Sequence, residues 1–174
     1  MTESSCRFRP VRMRTIPIVT ALLGVSALFS AFAAAGQGLA AATDLQADGG
    51  LARAQRLPVV LFFHSTSCPY CRQVEDLYLR PLAGDNARAP RVILRAVEID
   101  APAAMKDFAG ARTDMRTFAA RQGVGLVPNI RFLGPDGSPL APELLGYSSP
   151  DFYAGYLEDA IASATRKLRN TVRR

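Results

Sequence analysis

The segment VVLFFHSTSCPYC, residues 59–71, decides the fold. Val59, Val60, Leu61, Phe62 and Phe63 follow Pro58 without a polar interruption. A strand with one wet face alternates apolar and polar residues, whereas an unbroken β-branched and aromatic run suits a strand covered on both faces. Such strands belong to parallel or mixed sheets flanked by helices. Cys68 and Cys71 come directly after the run, separated by Pro69 and Tyr70. Proline is at home in the first turn of a helix, where its fixed φ fits and its missing N–H has no partner to lose. The segment therefore predicts a buried strand that turns into a helix at Cys68, with a Cys-x-x-Cys on the junction.

That placement has a chemical consequence. A cysteine attacks a disulfide only as the thiolate. The unpaired N–H groups and the dipole of a helix start favour the anion. Cys71 falls one turn further in, near enough to close a ring with Cys68. The expected roles are attack by Cys68 and resolution of the mixed disulfide by Cys71. Two cysteines three positions apart close almost no loop, so they staple a fold poorly.

Working outward, residues 44–56 read as a weak helix interrupted by Gly49 and Gly50. After the cysteines, Val74, Leu77, Tyr78 and Leu79 keep near-helical spacing, and Pro81 is expected to stop that helix, leaving residues 84–90 as a loop. Residues 92–99 read as a second strand. Thr113 or Asp114 caps a helix carrying Met115, Phe118 and Ala119, with Gly123 at its end. Ile130, Arg131, Phe132 and Leu133 form a third strand; residues 134–137 (GPDG) form a turn, and a short return strand lies within residues 140–145. Ser149, Pro150 and Asp151 start a last helix, whose buried stripe is expected to be Phe152, Tyr156, Leu157, Ala160, Ile161 and Ala164. The order is a β-α-β unit followed by a β-β-α unit, one small α/β domain over residues 43–174.

Residues 1–42 read differently. Arg7, Arg9, Arg12 and Arg14 precede an uncharged apolar run at residues 16–32, and small residues follow at 33–36 and 40–42. Charge, apolar core and small residues in that order mark a secretory signal peptide, cleaved after Ala33, Ala35 or Ala42. The alternative is an uncleaved membrane anchor, since seventeen apolar residues approach spanning length. Arg12 and Arg14 are not adjacent, against a twin-arginine signal. Cys6 leaves with the leader, so the exported domain keeps only the Cys68–Cys71 pair, in a compartment where disulfides persist. The full chain carries a formal charge of +6, whereas the domain without its leader has 17 basic and 14 acidic residues. The remaining excess ends in Arg166, Lys167, Arg169, Arg173 and Arg174, read as a solvated helix end that complements the helix dipole. No nucleic-acid partner is expected, and a membrane only if the leader stays attached.

Other uses of the cysteines can be weighed. A structural zinc site needs about four ligands, and Cys68, Cys71 and the sole histidine, His64, are the only thiol or imidazole donors of the domain. Haem attachment needs a histidine directly after the second cysteine, where Arg72 stands. No metal or other cofactor is expected. The rival from another class is a non-catalytic binding module, or a copper carrier using the two thiols and His64. His64 itself reads either as a histidine satisfied at the rim of the core or as a modulator of the Cys68 thiolate. Glu75 and Asp76 read as a solvated helix face, and Arg72 as a source of positive potential beside the pair.

Residues 62–71 (FFHSTSCPYC), Val127-Pro128 and the 134–137 turn together resemble the thioredoxin-like superfamily, over roughly residues 51–164. The resemblance implies the thioredoxin fold, a central mixed β-sheet flanked by helices, and thiol–disulfide oxidoreductase activity. It also implies a cis peptide at Val127-Pro128, with Val127 backbone groups pairing with an extended substrate segment beside Cys68, Pro69 and Tyr70. The Cys-Pro-Tyr-Cys tetrad is similar to that of glutaredoxins. The whole chain looks like bacterial periplasmic thioredoxin-like proteins of the sulfur-oxidation-associated type. Periplasmic or otherwise exported location, exported disulfide-bearing partners and a redox partner for recycling are the corresponding expectations. In one respect the chain departs from the family. Thioredoxins carry a buried acid six positions before the first cysteine, and here that position is Phe62.

Overall fold

The computed structural model describes residues 38–147 and 150–171. Residues 1–37 of the expected leader, with Cys6, and Ser149, Arg173 and Arg174 lie outside the described residues. Helix α1 (Leu45–Gln55) is followed by strand β1 (Val59–His64), helix α2 (Pro69–Val74), a π-helical turn (Glu75–Leu79) and helix α3 (Arg80–Arg88). Strands β2 (Ile93–Glu98), β3 (Ala104–Lys106) and β4 (Arg112–Asp114) precede helix α4 (Met115–Arg121). Strands β5 (Asn129–Leu133) and β6 (Leu144–Leu145) and helix α5 (Pro150–Thr171) complete the chain.

The main sheet has the order β2-β1-β5-β6, and β3 and β4 form a separate two-stranded ribbon. β1 runs parallel to β2 and antiparallel to β5, so the sheet is mixed. β1 is central, and its alternate residues feed two different cores. Val60 and Phe62 pack with Cys71, Val74, Ile130 and Phe132 under α2 and α5, joined by Leu157 and Ile161. Val59, Leu61 and Phe63 pack on the other face with Leu45, Met115 and Phe118 from α1 and α4. This two-sided burial is why the run contains no polar residue. Each such side chain contributes about 1.5–3 kcal/mol by leaving water, and all five are fully buried.

Local chemistry sets the element ends. The Asp44 carboxylate accepts from Ala47 N at 2.9 Å and caps α1, and Asp114 does the same for α4 through Thr117 N at 2.9 Å. The hydrogen bond from Lys106 chiefly holds the Asp44 carboxyl below the usual aspartate value, and that from the Thr117 hydroxyl does so for Asp114, with the capping N–H adding in each case. Gly123 closes α4 at a φ of +68°, the left-handed conformation glycine adopts without strain. At residues 134–137, Gly137 N donates to Gly134 O at 3.0 Å, giving the expected turn.

Several expectations need correction. Pro81 does not stop the helix after the cysteines. Helical structure continues to Arg88, so residues 84–88 are not a loop. The π turn explains this: Arg80 N–H reaches back five residues to Glu75 O, and Pro81 then falls in the first turn of α3. There its missing N–H and its ring are tolerated. The β3–β4 ribbon carries no hydrophobic alternation and went unread. The return strand shrinks to Leu144 and Leu145. On α5 the buried stripe is Tyr153, Leu157, Ala160, Ile161, Ala164 and Leu168, whereas Phe152 and Tyr156 are exposed. The stripe is displaced by one position at its start, because Tyr153 joins Tyr147 of the preceding loop and Tyr78 of the π turn.

Residues 40–42 also belong to this architecture. Ala42 N donates to Ala96 O at 2.9 Å, and Ala96 N donates to Ala40 O at 2.8 Å. Ala42 is fully buried. The segment covers the otherwise open edge of β2, ahead of the expected domain start at residue 43. Among the described residues no helix is long and apolar enough to cross a membrane.

Candidate active site

β1 ends at His64, and the chain turns over Ser65, Thr66 and Ser67 before entering α2. Ser65 is buried and its hydroxyl accepts from Ser67 N at 3.3 Å, while Cys68 N donates to Ser65 O at 3.1 Å. Arg72 reaches back from α2 and donates to Thr66 O at 3.0 Å, so its guanidinium ties down this turn. Cys68 is thereby fixed as the N-cap residue of α2, with extended φ and ψ of −88° and 109°. Its sulfur accepts from Cys71 N at 3.1 Å, the bond a capping side chain makes. Pro69 occupies the first turn, as the sequence predicts.

Cys68 and Cys71 are joined in a disulfide, with Cα atoms 5.2 Å apart. Cys68 is half-buried, whereas Cys71 is only 2% exposed and belongs to the core under α2. The outer sulfur is thus approachable and the inner one is not.

The loop before β5 meets this pair. The Val127–Pro128 peptide is cis. Val127 O lies 4.0 Å from Cys68 Sγ, while Pro128 O is taken by Gly146 N at 2.8 Å. Val127 and Pro128 are therefore brought beside Cys68, and Tyr70 stands on the rim, 57% exposed. Leu126, also exposed, directly precedes Val127, and exposed Leu145 lies on β6 opposite Asn129.

His64 is half-buried and stacks on Phe62, two residues earlier on the same face of β1, with ring centroids 5.2 Å apart. Burial holds its imidazole below the ordinary histidine value, opposed in part by Glu75, Glu98 and Asp100. Glu75 departs from its reading as a solvated acid. Its side chain is only 18% exposed, held by Arg80 Nε at 3.3 Å, whereas its neighbour Asp76 is open to water.

Behind Tyr70 lies a group of tyrosines that residue-by-residue reading missed. Tyr70 sits 6.3 Å from Tyr147, and Tyr147 sits 5.2 Å from Tyr153 and 6.1 Å from Tyr78. Tyr78 Oη is 3.2 Å from Tyr147 Oη and 3.0 Å from Pro150 O. With one proton each, Tyr147 donates to Tyr78 and Tyr78 donates to the carbonyl. That bonding, with burial, pushes the Tyr78 phenol up to about 12, and burial raises Tyr153 as well. Long-range assembly made this cluster illegible in the sequence. Among the described residues, no group of three or more His, Cys, Asp or Glu side chains is arranged to hold a metal ion.

A family model described as a thioredoxin-like domain matches residues 45–161. A poplar thioredoxin h mutant superposes with a TM-score of 0.51 at 16% identity, covering 73% of this chain and 84% of its own. Mitochondrial thioredoxin 3 from Saccharomyces cerevisiae gives a TM-score of 0.48 at 19% identity, covering 71% and 93%. The oxidised C-terminal domain of Neisseria meningitidis DsbD gives 0.45 at 21% identity, covering 70% and 99%. No curated protein matches the chain in sequence.

Proposed function

The chain belongs to the thioredoxin-like domain family, and from that premise we propose that it is an exported thiol–disulfide oxidoreductase that reduces or exchanges disulfides in exported proteins. The observation that carries this reading is the asymmetry of the pair: an approachable Cys68 on a helix start and a buried Cys71 directly behind it. In the reduced protein, the helix start and the Cys71 N–H stabilise a Cys68 thiolate. The thiolate attacks one sulfur of a substrate disulfide, and the other substrate sulfur leaves as a thiolate. Cys71 then attacks Cys68 Sγ, which releases the second substrate sulfur and closes the Cys68–Cys71 disulfide. Two electrons pass from the pair to the substrate, and a dithiol partner restores them.

Val127 and Pro128 border the path of the incoming segment, with the Val127 carbonyl facing the sulfur. Pro69 and Tyr70 form the opposite side of that path. The test is insulin reduction by dithiothreitol, read as turbidity. The protein is expected to accelerate it in a Cys68-dependent manner. A rate equal to that of dithiothreitol alone, from protein whose pair is shown to be reduced, would leave only the binding-module reading.

The export half of the proposal has its own expected result. If the leader is cleaved, the buried pairing of residues 40–42 with β2 favours a cut after Ala33 or Ala35 over one after Ala42. N-terminal sequencing of protein from a periplasmic fraction is expected to give a start at Ala34 or Gly36. A start at Thr43 would show the edge pairing to be dispensable, and an intact Met1 in the membrane would support an anchor.

A further inference from the structure

The buried cysteine poses a proton problem. To resolve a mixed disulfide, the Cys71 thiol must lose a proton, yet it is almost sealed from water. Its core neighbour on β1 is Phe62, fully buried and without a titratable atom. A titratable group stands one helical turn away. Glu75 N–H bonds to Cys71 O, so the two residues keep α-helical spacing although the π turn begins at Glu75. Side chains four apart on a helix share a face, with Cβ atoms about 5–6 Å apart. Glu75 is turned inward enough to be mostly covered, although a free helix-surface glutamate would extend into water.

His64 shares the β1 face of Phe62, and Glu75 is the foremost of the charges acting on its ring. Glu98 and Asp100 act on His64 as well, and Arg80 pairs with both Glu75 and Asp76.

We propose that Glu75 is the base that takes the Cys71 proton. This rests on the oxidoreductase reading above. In the mixed disulfide, the Cys71 S–H proton passes to the Glu75 carboxylate as Cys71 sulfur attacks Cys68 Sγ. The new S–S bond forms, the Cys68–substrate bond breaks, and the departing substrate thiolate takes up a proton, from Glu75 or from water. No oxidant or reductant beyond the pair and the substrate disulfide is needed for this turnover.

The experiment follows one turnover of reduced protein against a cyclic peptide closed by one disulfide, acid-quenched and resolved by mass. Two phases are read: appearance of the mixed disulfide and its resolution. In Glu75→Gln the first phase is expected within about twofold of wild type, while resolution slows about a hundredfold at pH 6.5, the lower end of what a positioned base contributes. The gap should narrow as the pH rises, because hydroxide can then take the proton without the carboxylate. Glu75→Asp should fall between the two. Arg80→Gln breaks the same ion pair but keeps the carboxylate, and should resolve at the wild-type rate. Wild-type resolution in Glu75→Gln, a slowing independent of pH, or equal slowing in Arg80→Gln would each overturn the proposal. A wild-type protein with no first phase would instead defeat the oxidoreductase reading, and this one with it.

Discussion

Replacing Cys68 by Ser is expected to abolish disulfide reduction outright, while replacing Cys71 by Ser is expected to leave a protein that attacks once and stays attached. The difference follows from position. Cys68 is the half-buried cap of α2 and borders the Val127 carbonyl, so it alone can meet an external sulfur. Cys71 is sealed into the core, so its only reachable target is the sulfur of Cys68. With Cys71 absent, nothing inside the protein cleaves the mixed disulfide, and it should accumulate. Non-reducing electrophoresis after incubation with a disulfide-bonded protein reads this directly. A stable adduct in Cys68→Ser, or its absence in Cys71→Ser together with wild-type turnover, would reverse the two roles.

The largest effect on stability is expected at Phe62. The ring is fully buried, packs in the core that holds Cys71, Val60 and Ile130, and carries the stacked His64. Phe62→Ala removes the aromatic contacts and leaves a cavity between β1 and α2, at a cost of about 3–5 kcal/mol. Urea unfolding of the oxidised protein measures it. A loss under about 1 kcal/mol would mean that the layer beneath the cysteines collapses to fill the space, contrary to its close packing.

The legible parts of the fold are those where one local rule dominates. The β1 run, the Cys68 cap with Pro69, the Asp114 cap with Gly123, and the 134–137 turn each involve residues within a few positions of one another. The misread parts depend on compensation from elsewhere. Pro81 looks like a helix stop until a π turn shifts the ladder ahead of it. Phe152 has the composition of a buried residue, but Tyr153 takes the inward position because Tyr147 and Tyr78 await it. In the site, the cysteines stood out by their spacing after the buried run, whereas the Val127-Pro128 loop was marked only by the resemblance to the thioredoxin-like superfamily. Glu75 was not, since a glutamate on a helix reads as solvated until its neighbours are known.

The tyrosine cluster has a spectroscopic consequence. The chain has no tryptophan and five tyrosines. Four of these, Tyr70, Tyr78, Tyr147 and Tyr153, form one connected group that begins beside the cysteine pair. Ultraviolet emission from this protein therefore originates largely within reach of its disulfide, with no indole to mask it. Opening and closing the Cys68–Cys71 bond should register as a change in phenol fluorescence, so the redox state can be followed in the untagged protein without a reporter dye.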